Sequence, residues 1–235
     1  TVVMPTTFEV ELVDKQKELG AGVFNCEASA IFQAAALPHK DKSDGVVRPK
    51  DFIQIWEEIR ANGNYQSHDW TVKADPDTVF FPKRLRHHLT RMDVPLGASV
   101  YIKKTVVKDD QDFLNIGSFH VLSHAAMEAY FMSHTVCSKK LIDFGEDFYL
   151  TTCLDQSDVG HVVDVHLLND AYAVRGDDAW PDGRLSPYGD EDGSTCRDDR
   201  WVALHPFQTM KDWVQCYANG NGTLGALKNL RHVRQ

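Results

Sequence analysis

The sequence predicts an α/β fold in which helices flank a mixed, mainly parallel sheet. Three observations lead there. Short β-branched or aromatic runs alternate with amphipathic stretches along most of the chain. The first amphipathic stretch is bracketed by two strand-like runs, the β-α-β unit of a parallel sheet. Finally, acids gather where apolar strands end, which is where ligands bind in open α/β sheets.

The elements follow in order. Residues 1–8 (TVVMPTTF) read as a strand end running into a loop at Pro5. Thr7 is placed to cap a helix over 8–19, with Glu9 and Glu11 in its first turn and Gly20 as its stop. Val23 to Cys26 reads as a short buried strand, and 38–50 as a polar surface loop. Residues 50–61 put Phe52, Ile55, Trp56 and Ile59 on one helical face. A strand is expected at 69–74 and a helix over 82–91 with Pro82 in its first turn. Further strands are expected at 99–107, 117–122 and 160–168, with helices at 123–135 and 145–154. Residues 176–200 read as an acidic loop. Order resumes at 201–205 and a helix spans 206–217. The expected organisation is one domain over 1–217 with the loop 176–200 inserted, then a Gly/Asn-rich and finally basic tail at 218–235.

Composition bounds the function. The chain has 235 residues, 43% hydrophobic and 25% charged, which excludes a collagen-like or wholly disordered protein. No apolar run reaches the roughly 18 residues that span a bilayer. A net charge of −9 argues against a nucleic-acid partner and suits a protein that holds cations. The five cysteines show no C-x-x-C spacing, so a zinc ribbon is excluded and at least one thiol stays outside any intrachain pairing. Asn221-Gly222-Thr223 is a glycosylation acceptor. A start at Thr1 reads as a processed or trimmed segment, with any targeting signal outside it.

Three constellations carry chemistry. In Trp70 to Phe81 (WTVKADPDTVFF), an apolar strand delivers Asp75 and Asp77 at its C-terminal end. Carboxylates so spaced can share a hard divalent cation, which in turn can bridge phosphate oxygens. Asp-Pro-Asp is also ordinary turn chemistry. The strand before it and the aromatic residues after it favour the cation site. Glu146 and Asp147 open a helix; they read either as caps at its positive end or as a carboxylate able to take a proton from a hydroxyl. His205 stands where a short strand meets a helix, either packed there or completing a cation's ligand shell. His120 and His124 read as core or helix-start residues, and His87 and His88 as solvated.

The order of these motifs resembles that of metal-dependent glycosyltransferases with the A-type, Rossmann-like fold. It is most like the fringe and core-1 β-1,3-galactosyltransferase group and related algal and protist sequences. Asp69-Trp70-Thr71-Val72-Lys73-Ala74-Asp75-Pro76-Asp77-Thr78 stands where that group carries its D-x-D segment. Gly117 to Ser123 (GSFHVLS) matches its G-x-G-Y-V-L-S stretch, and Glu146 to Leu154 (EDFYLTTCL) its E-D-V-x-x-G-x-C-L helix start. His205 matches a histidine close to the domain end. The likeness covers roughly residues 50 to 216 by motif order. Pro76 replaces the group's middle acid and His120 a small or aromatic residue, and the first nucleotide-binding strand is represented only near residues 1–4.

The resemblance implies a nucleoside-diphosphate-sugar donor, a UDP-sugar, with Asp75, Asp77 and His205 as ligands of Mn2+ or Mg2+. It implies contact of Asp75 and Lys73 with that bound group. Asp147 would be the catalytic base, with Glu146 as the alternative, and transfer to a glycan or protein acceptor would be inverting. Trp180 and Tyr188 in the acidic loop would stack on sugar. The five cysteines, unexplained by any metal motif, fit a protein of the secretory lumen (Golgi or ER) or a secreted one better than a cytosolic one, with any membrane anchor or partner subunit outside this segment. Two other readings compete: a non-catalytic relative serving as a structural or carbohydrate-binding subunit, and a metal-dependent phosphohydrolase.

Overall fold

The computed structural model describes residues 1–3, 8–33, 49–104, 106–108, 111–113, 117–141, 146–170 and 194–222. The chain opens with β1 (Val2–Val3), α1 (Glu9–Leu19) and β2 (Phe32–Gln33), and β1 pairs with β2 in parallel. The β-α-β unit is therefore present, but its second strand lies later than expected. Gly22–Asn25 forms a 3-10 turn instead, because Gly20 and Gly22 both take positive φ (58° and 57°) and coil the backbone there. Gly20 ends α1 as expected. The cap expected of Thr7 lies outside the described residues.

Next come α2 (Pro49–Asn62), β3 (Trp70–Ala74), β4 (Val79–Phe80) and α3 (Pro82–Arg91). In α2, Phe52, Ile55 and Trp56 are buried, so the predicted face is the packed one. The strand expected at 99–107 is broken into β5 (Val100–Lys103) and β6 (Val106–Lys108); β6 forms a hairpin with β7 (Gln111–Phe113). Then follow β8 (Phe119–Ser123), α4 (His124–Leu141) and α5 (Glu146–Gln156). The strand expected at 160–168 is also two strands, β9 (Gly160–Val163) and β10 (Leu168–Asp170). Asp164 turns the chain between them: its Oδ1 accepts from the His166 N–H at 2.9 Å, and its carbonyl accepts from the Leu167 N–H at 3.2 Å. The order closes with α6 (Ser194–Arg197), β11 (Ala203–His205) and α7 (Met210–Gly220).

Two sheets position the site. One runs β3-β8-β5-β9, with β8 antiparallel to both neighbours and β5 parallel to β9. The other runs β10-β11-β4, parallel then antiparallel. The fold is thus mixed α/β. Phe80, Ile102, Phe119, Val121, Leu168 and Val202 form a shared core that holds the two sheets together. Trp56 and Tyr130, edge to face at 5.3 Å, anchor the helical cluster of α2, α4 and α5.

Two disulfides close loops. Cys137–Cys153 ties α4 to α5, and Cys196–Cys216 ties α6 to α7. With sequence separations of 16 and 20, each contributes about 3 kcal/mol by restricting the unfolded chain. Cys26 is the free cysteine.

The end of α7 is packed without room to spare. A Cβ on Gly220 would strike the Phe81 ring and come within 2.7 Å of the Cys196 carbonyl. Phe81 is stacked on Tyr217 with ring centroids 5.5 Å apart, so it has nowhere to retreat. Gly220→Ala should therefore destabilise the protein by about 1–3 kcal/mol. Urea denaturation checks this, and a midpoint equal to wild type would show that the contact yields freely.

Candidate active site

The turn between the two sheets is held from every side. Asp75 to Thr78 closes as a β-turn, the Thr78 N–H donating to the Asp75 carbonyl at 3.0 Å. The Pro76 carbonyl accepts from Gln16 Nε2 at 2.6 Å, and the Asp77 carbonyl from the Phe207 N–H at 2.9 Å. The Thr78 carbonyl accepts from Trp213 Nε1 at 3.0 Å, and the Ala74 carbonyl from the Thr1 hydroxyl at 2.7 Å. Five successive carbonyls are satisfied, so the backbone is fixed. The turn reading of Asp-Pro-Asp is the observed one, and it is compatible with the cation-site reading, because the turn fixes the backbone that carries both carboxylates.

Asp75, Asp77 and His205 converge, each offering one ligand atom, with all three atoms within 4.8 Å of one another. His205 Nε2 lies 3.5 Å from Asp77 Oδ1. The side chains are partly exposed, at 33% for Asp75, 19% for Asp77 and 12% for His205, so the cluster opens outward. Burial alone would lower the His205 pKa. The hydrogen bonds and charges of Asp170 and Asp77 outweigh it and push the value up to about 10. Without an ion the ring is therefore held as an imidazolium; once a cation displaces the Nε2 proton, two oxygens and an imidazole nitrogen at this spacing suit a hard or borderline divalent cation.

Lys73 is 4% exposed. Its Nζ lies 2.7 Å from Asp75 Oδ1 and 3.0 Å from Glu146 Oε2, donates to the Gly117 carbonyl at 2.5 Å, and sits over the Phe52 ring at 5.0 Å. Burial opposes the charged ammonium, but Asp75 and Glu146 overcome this and raise its pKa. Lys73 thus joins the Asp75 turn to the start of α5, where Glu146 is itself 8% exposed. Asp147 is the second residue of α5. The described geometry stops short of its side chain, as it does of Trp180, Tyr188 and the acidic loop over 176–193.

His120 is 1% exposed in β8, where burial, with the Lys73 charge opposite, drives its pKa well below the ordinary value. It is a neutral core residue. His124 is the first residue of α4. His88 corrects the solvated reading: it is 16% exposed, with Nδ1 2.7 Å from Asp164 Oδ2, because the turn after β9 brings that acid over α3.

A cavity of about 480 Å³ runs along the outer edge of β3. Trp56, Tyr65, Val72, Arg86 and Cys26 contribute to its wall, and it reaches Lys73. Burial pushes the Cys26 thiol up to about 11, so it is a weak nucleophile.

Sequence reasoning missed Asp170 and Ser118. Asp170 is fully buried at the end of β10, with Oδ2 2.8 Å from His205 Nδ1 and 3.3 Å from the Ser118 hydroxyl. The signal was present: Leu167-Leu168-Asn169-Asp170 is another apolar run delivering an acid at a strand end, like the run that delivers Asp75.

No family model matches the chain, and no curated protein matches it. Among solved structures it is similar to one described as the crystal structure of a glycosyltransferase involved in the glycosylation of the major capsid of PBCV-1. The TM-score is 0.50 at 11% identity, over 91% of this chain and 95% of that chain. At that identity the likeness shows the fold alone: the chain has a mixed α/β fold similar to that of this glycosyltransferase.

Replacing Lys73 tests the buried bridge. Lys73→Met leaves the Glu146 carboxylate buried without its cation and should cost about 3–5 kcal/mol, less whatever water entering the site recovers. Chemical denaturation measures it, and a loss under 1 kcal/mol would mean that Lys73 is not what compensates Glu146.

Proposed function

We propose that the chain is a metal-dependent glycosyltransferase that moves a sugar from a nucleoside-diphosphate sugar, a UDP-sugar, to an acceptor hydroxyl with inversion. The observation that carries the proposal is the backbone-locked turn presenting Asp75 and Asp77 beside His205 on a glycosyltransferase-type fold. The motif order shared with the fringe and core-1 group supports inversion and the roles below.

Asp75, Asp77 and His205 would hold Mn2+ or Mg2+, and the bound ion would neutralise charge on the diphosphate of the departing nucleotide. Lys73 keeps Asp75 Oδ1 engaged, so that carboxylate is oriented before any ligand arrives. Glu146 is paired with Lys73 and buried, which favours Asp147 over Glu146 as the base. Asp147 accepts the proton of the acceptor hydroxyl as its oxygen bonds the anomeric carbon. The bond from that carbon to the diphosphate oxygen breaks, and the electron pair leaves with the nucleotide. The acceptor is a glycan or a protein. The two disulfides support placement in an oxidising compartment such as the secretory lumen. Among the described residues no helix is long and apolar enough to cross a membrane.

A phosphohydrolase would need further strand-end ligands. Among the described residues the structure adds Asp170 beside the cluster, and its bonded oxygen is turned to His205 and Ser118.

The test is thermal unfolding with Mn2+ and UDP, together with a transfer assay. Ligand at a hundredfold its Kd should stabilise wild type by about 2.7 kcal/mol, or roughly 5–10 °C. Asp77→Ala should lose that shift. Asp147→Asn should keep it while transfer falls about 10²–10⁴-fold. Binding without transfer in wild type would favour the non-catalytic subunit; unchanged transfer by Asp77→Ala would remove the metal role.

A further inference from the structure

We propose that Asp170 is a positioning residue for the cation site, acting through His205 to aim the imidazole Nε2 at the point that Asp75 and Asp77 share. The inference rests on the reading of those three residues as cation ligands.

The parallel ladder between β10 and β11 places Asp170 opposite His205. Their side chains meet at 2.8 Å, Asp170 Oδ2 to His205 Nδ1. A carboxylate oxygen accepts, so Nδ1 carries the hydrogen and the ring is turned with Nε2 outward. That nitrogen lies 3.5 Å from Asp77 Oδ1, on the open side of the cluster. An imidazole that donates from one nitrogen to a carboxylate presents the other as a ligand in fixed orientation and with raised basicity.

Asp170 is itself held. Its Oδ2 also accepts from the Ser118 hydroxyl at 3.3 Å. The Ser118 carbonyl accepts from the Asp75 N–H at 2.9 Å and from the Thr78 hydroxyl at 3.3 Å. One residue therefore links the turn that carries two ligands to the carboxylate that orients the third. Asp170 is fully buried, between strands whose neighbours Leu168 and Leu204 are equally buried. The buried Lys104 also feels the Asp170 charge, so Asp170 serves the fold as well, and the experiment has to separate that role from its action through His205.

The experiment is a titration with Mn2+ alone, following free Mn2+ by electron paramagnetic resonance. It compares wild type, Asp77→Ala, Asp170→Asn, His205→Ala and the Asp170→Asn/His205→Ala double variant, each checked for folding by circular dichroism. Asp170→Asn should weaken Mn2+ binding about 10–100-fold. In the His205→Ala background the same change should cost less than about twofold, because the residue through which Asp170 acts is gone. A purely structural role would keep its full cost there. If Asp170→Asn does not fold, Asp170→Glu takes its place in both backgrounds, since it keeps the charge and moves the oxygen. Equal Mn2+ affinity in wild type and the Asp170 variant, or an undiminished cost without His205, overturns the proposal. If Asp77→Ala binds Mn2+ as wild type does, the cation-site reading itself fails and this inference falls with it.

Discussion

A lysine ammonium out of reach of water is the interaction on which the site depends. Lys73 would be costly where it lies without counter-charge, and it has two carboxylates, a backbone carbonyl and an aromatic face. Those partners come from different places: the turn after β3, the start of α5, the loop before β8, and α2. The requirement to solvate one cation therefore dictates how four segments meet. It also separates two acids: Glu146 is buried against the lysine, whereas Asp75 pairs with it and stays partly exposed beside Asp77 and His205.

The elements that could be read from the sequence carry strong local signals. Pro82 starts α3, Gly20 ends α1 in a left-handed conformation, and the β-branched residues before Asp75 form β3. The reading failed where local signals were real but tertiary geometry redirected them. Val23 and Phe24 are apolar enough for a strand, yet the glycines on their N-terminal side coil the backbone into a 3-10 turn. Residues 160–168 have strand propensity throughout, but a bend at Asp164 divides them between two sheets. His88 looked solvated because nothing in its own helix announces the acid that the turn after β9 lays against it.

The site shows the same division. Asp75, Asp77 and His205 could be found because each ends or follows a recognisable strand, and the motif order linked them. Their supports could not. Ser118 and Phe207 hold the turn through their backbone and Gln16 and Trp213 through side-chain donors, all from distant chain positions, and nothing local in the sequence announces which group of the turn each one reaches. Lys73 was legible as a residue of interest, but not its burial between two acids. Asp170 carried the same strand-end signal as Asp75 and was missed because the strand was ended two residues too early.

The three converging side chains lie on a seam. Asp75 follows a strand of one sheet, whereas Asp77 precedes, and His205 ends, strands of the other. The spacing of the donors thus gauges how the two sheets are set against each other. A shift of a few tenths of an ångström along the seam would change the distances among these three donors. On the proposed cation reading, substitutions in the shared core around Phe80 and Phe119 would be felt as altered preference between ions of different radius, with the smaller, stricter Mg2+ the more sensitive reporter.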